Sequence, residues 1–322
     1  MEDKNQVEKV LDRSLKIAKR MRGADGDFPN VLLIGDAGFA KTDMVRQWAK
    51  NNGINLVKKD AGTMNASDLG GIVARDPDDP KYATKLGTNE MAKALSRPNS
   101  VLFLDEYNRS RADVRSTLLT LVQNHIIWDP NEENSTKYLD NFLFTIAAIN
   151  PPNSAYRDAK QLDPAEMSRF YSVTIQPDPA EHLRYLKKEY TKLLNNADKE
   201  DKLEYEGKLK LAETILTDES FYYDTSAEVQ DGQDDPQYRP LNYRSFKLAL
   251  DRCDGTKADL LDIWSHYCNY KKKSLITTIL SEYQDVEDKA TDALKGGTTS
   301  DVFAKTMTNR EKLAAAFPEL GL

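Results

Sequence analysis

Runs of consecutive apolar residues alternate, along the first half of the chain, with stretches whose apolar positions recur at helical spacing. From about residue 6 to 21, Val7, Val10, Leu11, Leu15, Ile17 and Ala18 stand among charges, which predicts an amphipathic helix. Gly23-Ala24-Asp25-Gly26 ends it. Val31-Leu32-Leu33-Ile34 then reads as a strand buried on both faces, followed by a glycine-bearing turn and a helix from Lys41 to Asn51. The alternation repeats at 54–57, at Val101-Leu102-Phe103-Leu104, at 144–149 and at Val173-Thr174-Ile175. A helical stretch from Val114 to Val122, with Leu118 and Leu121 on one face, separates two of these strands. Continuous apolar strands between helices predict an α/β domain with a parallel sheet covered on both faces.

The pattern changes after Gln176-Pro177. Asp178-Pro179-Ala180-Glu181 has the form of a helix start, with an N-cap, a proline in the first helical position and a glutamate closing the cap. Leu183, Leu186, Tyr190 and Leu193 continue with helical spacing, and no convincing strand follows. The stretch 226–236 is rich in acidic and amide side chains and reads as a solvated loop. Lys295-Gly296-Gly297-Thr298-Thr299 reads as another break. The expected plan is two domains, 1–176 with an α/β core and 177–322 all-helical.

The 322 residues suffice for two cores, and 39% hydrophobic residues argue against disorder along most of the chain. No apolar run approaches the roughly 18 residues of a membrane helix, and the polar start Met1-Glu2-Asp3-Lys4-Asn5 does not resemble a signal peptide. The expected location is the cytoplasm. Two cysteines, Cys253 and Cys268, are too few for a disulfide framework, and three scattered histidines argue against a histidine-ligated metal. A net charge of −7 argues against a broad surface that tracks nucleic-acid phosphates.

The chemistry concentrates at strand ends. Gly35-Asp36-Ala37-Gly38-Phe39-Ala40-Lys41-Thr42 follows the first strand and opens a helix, where backbone amides and the helix N-terminus favour a polyphosphate. Lys41 is placed to reach the β- and γ-phosphates of a triphosphate, and the Thr42 hydroxyl to ligate Mg²⁺. Alanine stands at position 40 where glycine is usual, and it fits if its φ stays negative. The 101–104 strand ends in Asp105-Glu106, beyond which ligands of open α/β sheets bind. Asp105 is expected to hold Mg²⁺, and Glu106 to polarise the attacking water as general base. The 144–149 strand ends at Asn150-Pro151-Pro152, where the amide of Asn150 is placed to bond the water or the γ-phosphate.

With these motifs in order, roughly residues 5–255 resemble the AAA+ ATPases and, more narrowly, their MoxR branch. Gly38-Phe39-Ala40-Lys41-Thr42 is similar to the MoxR phosphate loop, in which alanine often precedes the lysine. Asp105-Glu106-Tyr107-Asn108-Arg109-Ser110 and Asn65-Ala66-Ser67-Asp68-Leu69-Gly70-Gly71 resemble further segments of that branch, the second in its helix-2 insertion. So do Leu162-Asp163-Pro164-Ala165-Glu166-Met167-Ser168-Arg169-Phe170 and Asn242-Tyr243-Arg244-Ser245. The resemblance implies a five-stranded parallel sheet sandwiched by helices and followed by a helical lid. It further implies that Asn150 is sensor 1, that Arg244 reaches the phosphates from the lid, and that Arg169 is an arginine finger acting on a neighbouring subunit. Asn108 and Arg109 would support the site or a subunit boundary. A homo-oligomeric ring, read as a hexamer, follows, and so does a protein client, of which a von Willebrand factor A domain protein is one possibility by family implication alone.

Tyr82 is the only aromatic residue between Ala61 and Ser100, so the aromatic pore signature of threading unfoldases is missing and remodelling by conformational change is expected. Two alternatives stand beside client remodelling: a McrB-like or phage- and defence-associated motor acting on nucleic acid, and a nucleotide-sensing scaffold. Trp48, Trp128 and Trp264 read as packing residues, Lys271-Lys272-Lys273 as a solvated helix face, and His125 as a helix-end residue without a catalytic role.

Overall fold

The computed structural model describes residues 5–21, 28–70, 73–74, 85–86, 90–128, 136–151, 159–198, 201–232 and 234–285. The segments 23–26, 152 and 295–299, together with Gly71 and Tyr82, lie outside them. The chain divides into two units, Met1–Gln176 and Pro177–Leu322.

In the first unit α1 (Gln6–Arg20), β1 (Val31–Ile34), α2 (Lys41–Asn51) and β2 (Asn55–Asp60) come first. There follow α3 (Ala66–Gly70), the short strands β3 (Val73–Ala74) and β4 (Lys85–Leu86), α4 (Glu90–Leu95) and β5 (Ser100–Asp105). After a 3₁₀ turn, Tyr107–Arg109, come α5 (Ala112–Asn124), β6 (Ile126–Trp128), β7 (Thr136–Tyr138), β8 (Phe142–Ile149), α6 (Pro164–Met167) and β9 (Tyr171–Thr174). Five strands form one sheet in the order β2-β5-β8-β1-β9. All its pairings are parallel, as the apolar runs predicted.

Successive strand residues point to opposite faces, and both faces are covered. Leu32, Leu102, Leu104, Ala147 and Ile149 meet Leu95 of α4 and Leu118 and Leu121 of α5. Val31, Leu33, Val101, Phe103, Phe144 and Ile146 meet Leu11 and Leu15 of α1 and Val45 and Trp48 of α2. This two-sided burial is why these strands show no polar alternation. It also leaves the carboxyl ends of β1, β5 and β8 side by side, with Ile34 level with Ile149 and Leu104 level with Ala147.

The second unit contains α7 (Pro179–Asn196), α8 (Asp201–Leu216), α9 (Ser226–Asp231), α10 (Tyr243–Arg252), α11 (Lys257–Tyr267) and α12 (Lys273–Ile279). Among its described residues there is no strand. Asp178 caps α7 by accepting from the amides of Ala180 and Glu181. Two expectations change here. The acidic stretch after Thr225 is not simply a loop, because Thr225 and Glu228 form a capping box that starts α9. Lys272 is not solvated: its Nζ lies 2.7 Å from Asp224, and it covers the Tyr222 ring. Asp224 also accepts from Asn269, Tyr238 and the Leu241 amide, so the buried charge pair is satisfied on all sides.

Each unit holds one buried histidine. His125, the C-cap of α5, stacks on Phe28 and meets the Phe142 ring at a tilt. His182 stacks on Tyr243, with its Nδ1 2.6 Å from the Tyr223 hydroxyl. Burial pushes both imidazoles down from 6.5 to about 3, and the charge of Lys247 adds to the effect at His182. Both are neutral in the folded chain and take up a proton once unfolded, so their stabilisation is complete above pH 6.5 and declines as pH falls towards 3. Acidification from pH 6.5 to 5 is expected to cost about 2 kcal/mol per histidine. Urea midpoints at the two pH values check this; His182→Gln should flatten the pH slope of the helical unit, and an unchanged slope contradicts the assignment.

Candidate active site

The loop between β1 and α2 is shaped by its backbone. Gly38 has φ 87°, and Ala40, directly before the helix, has φ 57°. The condition of a negative φ at Ala40 is therefore not met. A left-handed alanine costs about 1–2 kcal/mol relative to a right-handed one, so the rest of the loop must hold it there. Gly35 allows close passage: a Cβ there would lie 3.2 Å from that of Ile175. Phe39 is buried and anchors the loop against the unit.

Lys41 is the first residue of α2 and is buried. Its Nζ donates to the carbonyls of Gly35 (2.6 Å) and Asp36 (2.9 Å) and to Oδ1 of Asn150 (3.0 Å). One ammonium thus joins the ends of β1 and β8, as well as the loop between β1 and α2. Next to it, the Thr42 hydroxyl donates to Oδ2 of Asp105 at 2.7 Å, which brings in the end of β5. Asp105 also accepts from the amide of Glu106 and pairs with Lys58 of β2 at 3.0 Å. Burial alone would raise the Asp105 carboxyl, but the hydrogen bonds from Thr42 and Lys58 and the charge of Lys58 outweigh it and hold the carboxyl below its usual range.

Glu106 stands in the left-handed region, φ 51°, and both its carboxylate oxygens accept from Nη1 of Arg109 at 3.1 Å. Asn108 is buried and donates to the carbonyls of Asn150 (2.9 Å) and Lys160 (3.2 Å), tying the turn after β5 to the end of β8. Arg109 is thus bonded to Glu106, and Asn108 to the end of β8. Arg169 follows α6, which starts at a capping box of Asp163 and Glu166. Its guanidinium is bonded to Gln123 at 3.1 and 2.9 Å and to the carbonyl of Ala165. Asn30 fixes the Arg169 carbonyl to the sheet. Arg244 is exposed in the first turn of α10, in the second unit, where Asn242 and Ser245 form the capping box.

Lys41 bonds Asn150 and the adjacent Thr42 bonds Asp105, so these four side chains form one group at the strand ends, with Glu106 adjoining it next to Asp105. Arg169 is bonded elsewhere. Lys58 escaped the motif reading because nothing in the local pattern of β2 marks it; only the parallel pairing of β2 with β5 brings it to Asp105. The oxygen donors Thr42 and Asp105 suit Mg²⁺, which prefers one or two such protein ligands beside phosphate oxygens and water. Among the described residues, no group of three or more His, Cys, Asp or Glu is arranged to hold a metal by itself, and no helix is long and apolar enough to cross a membrane.

A parallel sheet with a lysine-bearing loop after its first strand and a carboxylate pair beyond the strand next but one to it, with β8 between them, is the arrangement of a nucleotide-binding class of α/β protein. Residues 30–170 match the family model described as AAA domain (dynein-related subfamily), a span that lies within the first unit. That span contains every site residue named above except Arg244. No curated protein sequence matches the chain. Among solved structures, a point mutant of Thermotoga maritima RuvB is similar, with 16% sequence identity and a TM-score of 0.41 over 98% of this chain and 83% of that one.

Proposed function

We propose that this protein is a ring-forming, Mg²⁺-dependent ATPase of MoxR-like type that uses ATP hydrolysis to remodel or mature a protein partner. The observation that carries the ATPase reading is the bonding of Lys41 to the loop and to Asn150, beside the bond between Thr42 and Asp105. It assembles a phosphate-binding cation, a hydroxyl, a carboxylate and an amide from three strand ends.

In this reading residues 35–42 cradle the triphosphate. The Lys41 ammonium exchanges its carbonyl partners for β- and γ-phosphate oxygens, and Thr42 and Asp105 hold Mg²⁺. Held by Thr42 and Asp105, Mg²⁺ would supply positive charge against the negative charge that phosphoryl transfer develops. Glu106 accepts the proton of the attacking water. Asn150, fixed through its own carbonyl by Asn108, orients that water or the γ-phosphate. Arg169, on the first unit's surface, serves the site of the next subunit in a hexameric ring, and Arg244 of the helical lid serves the phosphates of its own chain. The division at residue 176 then separates the nucleotide-binding domain from the lid region. The MoxR-like assignment, and with it a protein client, is supported by the segments around Ala40, Asp105, Asn65, Arg169 and Arg244, and the negative net charge favours a protein over nucleic acid as partner.

Lys41→Ala tests the site. It is expected to weaken binding of a fluorescent ATP analogue by about 100-fold, the loss of a charge-assisted contact to phosphate. Circular dichroism checks that the fold survives. Binding within twofold of wild type would refute the assignment. Stimulation of ATP turnover by DNA, with a steep salt dependence, would replace the protein client by nucleic acid.

A further inference from the structure

The carboxylate assigned to Mg²⁺ already has a cation. Strand β2 runs parallel to β5 with Lys58 level with Phe103 and Asp60 level with Asp105, so Lys58 lies two residues before the position opposite Asp105. Its stem passes Phe103, with the ammonium 5.9 Å from the ring centroid, and its Nζ ends 3.0 Å from Oδ2 of Asp105. The same oxygen takes the Thr42 hydroxyl at 2.7 Å. Both protein groups suited to the metal are therefore engaged with each other, and a protein cation sits on the oxygen that joins them.

An ion pair as accessible as this one adds little to folding, with about 35% of the Lys58 side chain exposed. Its effect on a second cation is larger. A dication approaching Asp105 must either displace the ammonium or tolerate a like charge only a few ångströms away. The four negative charges of a nucleotide triphosphate reverse that balance, since they bring the dication in already partly neutralised and offer the ammonium another partner.

We propose that Lys58 is a positioning residue that acts as the resident counter-ion of Asp105 and sets the Mg²⁺ requirement of the site, so that the metal loads together with nucleotide rather than ahead of it. This rests on Asp105 being the magnesium ligand, as put forward above. Lys58→Met keeps the stem over Phe103 and removes the charge, Lys58→Gln is a second neutral variant should the first fold poorly, and Lys58→Arg keeps the charge.

The readout is metal binding, not turnover. Mg²⁺ is titrated against a fixed concentration of a fluorescent, non-hydrolysable ATP analogue, and Mn²⁺ is titrated without nucleotide and followed by electron paramagnetic resonance. The neutral variants are expected to lower the Mg²⁺ midpoint about fivefold and to bind Mn²⁺ without nucleotide more tightly by a similar factor, while Lys58→Arg stays near wild type. Neutral variants with an unchanged or raised midpoint would overturn the role of Lys58 alone, provided that Asp105→Asn still raises it. If Asp105→Asn leaves the midpoint unmoved, the metal assignment fails and the inference falls with it.

Discussion

Arg169→Ala is expected to leave ATP binding within about twofold of wild type and to lower turnover by about 10³–10⁵, the range known for arginine fingers supplied in trans. The guanidinium is bonded to Gln123 and the Ala165 carbonyl, on a side chain that is only half-buried. Its removal therefore opens no cavity and should change stability by about 0.5 kcal/mol at most. None of these partners belongs to the group formed by Lys41, Thr42, Asp105 and Asn150, so its expected target is another copy of the chain. A guanidinium suits that target because its planar donors stay charged and match the oxygens of a phosphoryl group in transfer. Mixing Arg169→Ala with Glu106→Gln distinguishes this from a local structural role. Mixed rings place an intact finger beside an intact base at some interfaces, and partial turnover should return. Absence of rescue at every mixing ratio would eliminate the in-trans role.

Glu106→Gln should reduce turnover by about 10²–10⁴ while ATP stays bound, because the amide keeps the shape of the side chain and loses the proton acceptor. The two oxygens of Glu106 accept from Nη1 of Arg109 at 3.1 Å, which fixes the orientation of the carboxylate. The left-handed backbone at Glu106 is uncommon for a residue other than glycine, and strain of this kind gathers at functional sites. The measurement is single-turnover hydrolysis with bound nucleotide quantified in parallel. Turnover equal to wild type would mean that another group takes the proton. A wild-type protein that binds ATP and never hydrolyses it would instead be a nucleotide-sensing scaffold.

Together the two variants separate what binds from what reacts. Lys41 lies inside the bonded group and should govern affinity. Glu106 adjoins it and Arg169 stands away from it, and both should govern rate.

Much of this was legible before any tertiary structure. Strands buried on both faces are apolar in their interior, so Val31–Ile34 and Val101–Leu104, the interior of β5, announced themselves, and with them the parallel sheet. A loop that follows one strand and opens a helix can only project from the sheet's carboxyl edge. The positions of Lys41, Thr42, Asp105 and Asn150 along that edge therefore followed from order alone. The capping chemistry of Asp178 and Asp163 likewise acts within one helical turn and is local by nature.

What the tertiary structure decided are contacts between residues far apart in the chain. Thr42 meets Asp105 across 63 positions, and Lys41 meets Asn150 across 109. Lys58 reaches Asp105 only because β2 and β5 are neighbours at one register, and no periodicity within β2 encodes that. Lys272, one of three consecutive lysines, is buried because Asp224 and Glu228 converge on it from another part of the helical unit. Ala40 has a left-handed backbone that its own side chain disfavours, so local preference does not account for it. Hydrophobic spacing and caps act over a few residues and are written in the chain. Pairings of charge, and strain held against local preference, depend on which distant segments the folded sheet brings together.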